Sequence, residues 1–419
     1  MFPIYTHKLQ NGLGSVIVPI DKAPLVSINL AYKAGSKNEE KHMTGIAHLF
    51  EHLMFEGSKH VPKGDFDKYC SMAGGTNNAY TSFDLTSYNM TLPKHQLELG
   101  LWLESDRMLE FSVSEESLRT QQKVVSEEIF QTVHNQPYGR WRELLSGTAF
   151  SEDCSYSWEV HGNHKHVLAC DLDYLKKFFA RYYQPDNACL VLCGDIDPKS
   201  GKDQVEKYFS EIPVLNGRKQ HIHNEKECKK GDRSVVFYDN IPMSAVFIAY
   251  HCPGFKDDDI FKADIISNLF GNGRHSKLYD LLVDDLEIAS YTGSFMDARE
   301  DASLIIFFAI AASDDISPEL LKEKIYTSFD DFLENGIMES EFEKSINQLT
   351  TKLAYEFQYN SSIADIIANQ MLFWDDPERI YRLLDIYKNL KIDEINDFSR
   401  KILTRENRVE VIAMPHNSK

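Results

Sequence analysis

The chain carries its opening pattern twice. Residues 17–36 set against 235–254 place Asp21 on Asp239, Pro24 on Pro242, Ala31 on Ala249 and Tyr32 on Tyr250, with apolar positions in step between them. A shift of two residues extends the match, so that AHLFEHLMFEG (47–57) lies on ADIISNLFGNG (263–273) and Ala47, Leu53 and Gly57 meet Ala263, Leu269 and Gly273. At 419 residues the chain is too long for one ordinary core. Two copies of one unit, strands first and then helices, account for the length and imply pseudo-symmetric halves. The stretch 216–233 (NGRKQHIHNEKECKKGDR) is charged and nearly free of apolar residues, which reads as a linker between halves 1–215 and 234–419.

The copies differ where chemistry is concentrated. The first has His48, Glu51 and His52, an H-x-x-E-H order, where the second has Asp264, Ser267 and Asn268. If residues 45–57 are helical, His48 and His52 stand one turn apart on one face and both imidazoles can reach a single zinc ion. Glu51 shares that face without having to be a ligand, the position of a general base. The repeat unit folds without this triad in its second copy, so the fold does not demand it. A third ligand is to be sought among Glu127 and Glu128, which border an apolar stripe of Leu118, Val125, Ile129 and Val133 in a helix expected over 115–134. Acid pairs in mid-helix are ordinarily solvated faces. His221 and His223 lie in the linker without a third partner.

Further elements follow from periodicity and turn residues. Strands are expected at 13–20, 25–33 and 187–194, and helices at 95–110 and 172–183. Residues 76–92 (TNNAYTSFDLTSYNMTL) read as one strand whose polar Asn78, Thr81, Ser82 and Thr86 suit a sheet edge, where an extended peptide can add.

Composition removes some functions. The net charge of −19, from 64 acidic and 45 basic residues, makes nucleic acid a poor partner. No apolar run approaches the roughly 18 residues of a membrane span, and MFPIYTHKLQNG is not a signal peptide. The seven Cys contain no C-x-x-C and are expected as buried free thiols, in keeping with a cytoplasmic (bacterial) location, a periplasmic one being the alternative.

Taken together, GSKNE (35–39), GIAHLFEHLMFEGS (45–58), GGTNNAYTSFDLTSY (74–88), WLESDRM (102–108), VVSEEI (124–129), PYGRW (137–141) and YYQPDNACLVLCGD (182–195) resemble the pitrilysin/insulinase-type zinc metallopeptidases, in the short bacterial form related to mitochondrial processing peptidase. The resemblance implies an α+β fold of two duplicated, pseudo-symmetric α/β-roll halves, each a mostly antiparallel sheet with helices packed on one face. It implies one Zn2+ held by His48, His52 and Glu128, with Glu51 as base, and peptide substrates gripped by Asn78 and Ala79 in a closed chamber. Cobalt or manganese would suit the same ligands.

There are two departures. Gln121 stands where the family usually has a second glutamate, so it can hydrogen-bond a ligand but adds no charge. In the second half, LVDDLEIAS (282–290) puts Val283 and Ser290 where single-chain relatives carry an Arg and a Tyr that steady the substrate and the oxyanion. Tyr291 is one residue late, and sliding to it brings Asp284 in place of the arginine. A homologous partner subunit lacking H-x-x-E-H is therefore expected to supply the pair, making a heterodimer. A self-sufficient homodimeric peptidase, a non-catalytic structural subunit and a peptide-binding module are the competing readings.

Overall fold

The computed structural model describes residues 2–215 and 232–416. They form two compact units, each built on one sheet, and the units do not coincide with the sequence halves. The first unit comprises 2–129, 160–215 and 354–383, and the second 130–159, 232–353 and 384–416. The expected linker lies almost wholly outside the described residues, as do His221 and His223.

The first sheet contains β1 (Tyr5–Lys8), β2 (Gly14–Pro19), β3 (Leu25–Tyr32), β4 (Thr76–Thr81), β5 (Thr86–Pro93) and β6 (Ala188–Gly194), in the order β1-β2-β6-β3-β5-β4. Only β2 and β6 run parallel. The second contains β7 (Arg233–Asp239), β8 (Ala245–Pro253), β9 (Ala289–Asp297), β10 (Ala302–Ala311) and β11 (Arg408–Pro415), in the order β7-β11-β8-β10-β9. Its parallel pair is β7 with β11. Without β1 the two orders are the same, and Ala31-Tyr32 of β3 falls on Ala249-Tyr250 of β8. The duplication read from the sequence is thus present strand for strand, as two α/β halves.

Each sheet borrows a helix. The helix Asn360–Trp374, late in the sequence, packs Ile363, Ala364, Ile367 and Ala368 on Val16, Val18, Ala31, Val191 and Cys193 of the first sheet. On the opposite face Ile28, Met90 and Leu92 meet the helix Leu97–Leu109 so closely that Gly100 has no room for a Cβ. The helix Trp141–Ala149 makes the reciprocal contact in the second unit, where Trp141 stacks on Phe247 of β8 at 4.5 Å. The central strands β2, β3, β6, β8 and β10 are buried on both faces because both faces are covered.

Residues 76–92 are not one strand. Ser82 N donates to Leu85 O (2.8 Å) and Leu85 N to Ser82 Oγ (3.1 Å), turning the chain into a β4–β5 hairpin. The edge position holds for β4, but Thr86 lies buried in β5 and donates to Ala34 O. The helix expected over 115–134 is α-helical from Glu115 to Ile129 and continues as a wider π turn, Phe130–His134. Cys70, Cys154, Cys170, Cys189, Cys193 and Cys252 are buried free thiols.

In the second unit His251 of β8 is buried against Phe150 (5.3 Å between ring centres). Burial first, then Arg233 and Arg299, push its imidazole down to about 3. The unfolded chain takes up that proton near pH 6.5, whereas the fold refuses it, so acid favours unfolding between those values. The unfolding free energy from urea titrations should therefore lose about 2 kcal/mol less between pH 7 and pH 5 in His251→Leu than in the parent chain. Equal losses would show that His251 does not carry this sensitivity.

Candidate metal centre

The helix Ile46–Leu53 is held by its first turn and its apolar face. Gly45 precedes it at φ 85°, a left-handed conformation suited to glycine. Gly45 N and Ala47 N, two of the donors a helix start leaves without intrahelical partners, both bond the fully buried Glu39 carboxylate, at 3.0 and 2.7 Å. The turn at Gly162 (φ 59°) presses on the same point, where a Cβ would come within 2.0 Å of Gly45 N. Beneath, Ala47, Leu49, Phe50 and Leu53 are buried, and Phe50 meets Tyr183 at 4.2 Å and Phe111 at 4.9 Å. His48, Glu51 and His52 remain on the outward side. The two imidazoles meet edge to face, 4.9 Å apart at 86°.

Glu128 arrives from the helix Glu115–Ile129, whose stripe Leu118, Val125 and Ile129 is buried. Its Oε2 lies 3.4 Å from His52 Nε2 and its Oε1 3.8 Å from His48 Nε2. His48, His52 and Glu128 offer donor atoms all within 4.8 Å of one another. A tetrahedral ion with bonds near 2.0–2.1 Å wants its ligand atoms roughly 3.3–3.5 Å apart, so the set fits with small adjustments. Glu127 does not join the cluster. Burial, then His52, pushes His48 down to about 4, leaving a lone pair available. The hydrogen bond between His52 and Glu128 raises His52 and lowers Glu128, and a divalent cation bound there would compete with the proton for the imidazole. His48 Nδ1 is buried with no partner among the described residues, and packing rather than an outer hydrogen bond sets that ring.

Around the cluster, Glu51 Oε2 accepts a 2.5 Å bond from Thr81 Oγ1 at the end of β4. Burial raises the Glu51 pKa against that bond, bringing it nearer the range of a working base. Gln121 donates to Glu56 (2.7 Å) and hydrogen-bonds His52, so it fills the supporting position by amide contacts. Asn78 and Ala79 lie on edge strand β4, their side chains on opposite faces. The Ser82–Leu85 bond sets the ladder phase, which turns the N–H and C=O of Ala79 and Thr81 toward the open edge.

Three residues around the site were not legible as such. Glu39 caps from six residues before Gly45, outside any capping-box spacing. Thr81 reads only as a polar strand residue, and His161, whose charge acts on both His48 and Glu128, is brought in by the turn at Gly162. In the second copy the corresponding residues serve packing. Tyr387 hydroxyl donates to Asp264, and Ser267 pairs with Ser294 at 2.8 Å. Ser290 bonds Ala311 O (3.2 Å), Val283 packs on the core and Tyr291 is exposed on β9.

A duplicated α/β chain with an H-x-x-E-H helix in one copy is the class these features define. The family model described as Insulinase (Peptidase family M16) matches residues 16–157, and that described as Peptidase M16 inactive domain matches 169–349. The zinc protease PqqE of Helicobacter pylori is 30% identical over 368 residues, covering 87% of this chain and 82% of that protein. The mitochondrial-processing peptidase subunit beta of Lentinula edodes is 24% identical, covering 94% and 86%. The crystal structure of a protease from Helicobacter pylori matches with a TM-score of 0.92 at 26% identity, over 99% of this chain and 100% of that one. The chain belongs to the insulinase-type M16 peptidase family. No helix among the described residues is long and apolar enough to cross a membrane.

Glu39 accepts charge-assisted bonds from the leading amides of the histidine helix, Gly45 N and Ala47 N. Glu39→Ala should cost about 3 kcal/mol in urea unfolding and weaken zinc binding in the same protein, as read by calorimetry. Unchanged stability would show that the cap is dispensable.

Proposed function

We propose that this chain is the metal-bearing subunit of a zinc endopeptidase. The observation that carries this is the convergence of His48, His52 and Glu128 beside a half-buried carboxylate, Glu51, at the end of an open sheet edge. Zinc bound there would polarise the scissile carbonyl and make a water acidic enough to be deprotonated near neutrality. A peptide adds to β4 through the outward backbone groups of Ala79 and Thr81, with Asn78 beside it. Glu51 takes the proton of the attacking water and delivers it to the leaving nitrogen, while Thr81 holds the carboxylate on course. Gln121 keeps His52 in its orientation. The arginine and tyrosine that would steady substrate and oxyanion are absent here, Val283 and Ser290 standing in their places. We assign them to a partner chain of the same family, the two chains together enclosing the peptide; relatives named as a processing-peptidase beta subunit support a divided arrangement.

One assay set tests the assignment. The purified chain, zinc-loaded, is incubated with a peptide library alone and with a similar chain lacking H-x-x-E-H, and Glu51→Gln is run in parallel. Cleavage is expected in the mixture only, falling about 10³-fold in Glu51→Gln with one zinc still bound. A fully active Glu51→Gln would remove Glu51 from the mechanism. Full activity of the chain alone would remove the partner and direct attention to Tyr291.

A further inference from the structure

β4 is lightly held by its own ladder. Among the described residues it has a paired neighbour on one side only, and its side chains alternate between exposed and half-buried. Edge strands of this kind open locally at low cost. On the face toward the histidine helix its ties are Thr81 to Glu51 (2.5 Å) and Asn77 to Asp67 (3.0 Å). On the other face Tyr80 reaches the borrowed helix Asn360–Trp374, its hydroxyl 2.9 and 3.0 Å from the two oxygens of Asp365. That carboxylate is itself fixed from the sheet. Asn29 of β3 donates to it at 3.0 Å and Ser87 of β5 at 3.1 Å, and both residues are fully buried. One carboxylate thus links the edge strand to the central strand β3 by a route other than the ladder.

We propose that Tyr80 and Asp365 are positioning residues for peptide capture; the inference rests on β4 being the strand to which the peptide adds. Successive side chains of a strand leave on opposite faces, so Tyr80 and Thr81 tie β4 from both sides of the sheet. Two ties at adjacent residues on opposite faces resist a roll of the strand about its own axis. Tyr80 lies between Ala79 and Thr81, whose N–H and C=O face the open edge, while its own are directed to Ser87 of β5. A roll at Tyr80 would swing the outward groups out of the plane in which an added strand meets them. A strand already held in that plane loses less freedom when the peptide docks. The same backbone groups grip substrate and transition state alike, so the gain falls on binding and not on the chemical step. The N-terminal sequence half supplies the strand, and residue 365 of the C-terminal half supplies its anchor.

Two readouts on the zinc-loaded chain carrying Glu51→Gln test this. Hydrogen exchange of the Asn78 and Tyr80 amides, which bond β5, reports the tie, and anisotropy of a fluorescein-labelled random peptide library reports capture. Tyr80→Phe keeps the ring and should speed exchange of both amides and raise the apparent Kd, each by about ten-fold. Asp365→Asn keeps an acceptor without the charge, so the rise should be smaller, and it should add nothing once Tyr80→Phe is present. Tyr208→Phe removes a comparable hydroxyl bond to Glu98 (2.8 Å) elsewhere on the surface and should move neither readout. With Glu51 restored and the partner chain added, the loss in Tyr80→Phe should appear in KM with kcat held. Unchanged exchange, faster exchange with an unchanged Kd, or a loss confined to kcat would overturn the proposal and leave peptide addition to β4 standing. If the parent binds no peptide, or if binding does not slow exchange of the Ala79 and Thr81 amides, addition to β4 fails and the proposal fails with it.

Discussion

Everything at the centre depends on where two helices are held. Imidazoles one turn apart are a consequence of helical pitch, but a carboxylate from a second helix meets them only if both helices are fixed to within fractions of an ångström. Here the first is fixed by Glu39 on its leading amides, by two glycine-dependent contacts at Gly45 and Gly162, and by the aromatic bed under Phe50. The second is fixed by its buried stripe and by Gln122, whose amide donates to Val167 O and Cys170 O in the segment next to the Gly162 turn. A short backbone stretch, 160–170, therefore ties both helices together.

The same sequence that repeats as two halves folds as two units that trade helices. The central strands of each sheet are buried on both faces, and each sheet takes a cover that its own sequence half does not supply. Asp365 shows how specific the cover is: a carboxylate from residue 365 accepts from Asn29, Ser87 and Tyr80. Such a polar match across a sheet face is costly when mispaired, so it pins the borrowed helix in one register.

The sequence made the duplication and the H-x-x-E-H helix legible because both rest on short periodicities and on a comparison of one copy with the other. The loss of the His-Glu-His triad at Asp264, Ser267 and Asn268 was readable in that way, and in the structure Asp264 accepts from Tyr387 while Ser267 pairs with Ser294. What local patterns could not carry was anything set by long-range contact. Glu39 and His161 reach the helix from outside any motif spacing. The hairpin at Ser82 was hidden because its flanking residues read as one β-rich run. The exchange of the helices Trp141–Ala149 and Asn360–Trp374 was hidden because an amphipathic helix does not reveal which sheet it covers.

The site is proposed to hold one divalent metal by two imidazoles and one carboxylate. X-ray absorption at the zinc edge of the stoichiometrically loaded chain reads that directly. Two imidazole nitrogens and oxygen ligands near 2.0–2.1 Å are expected, with loss of one imidazole signature in His52→Ala. A spectrum dominated by sulfur, or one that is identical in the parent and in His52→Ala, would contradict it.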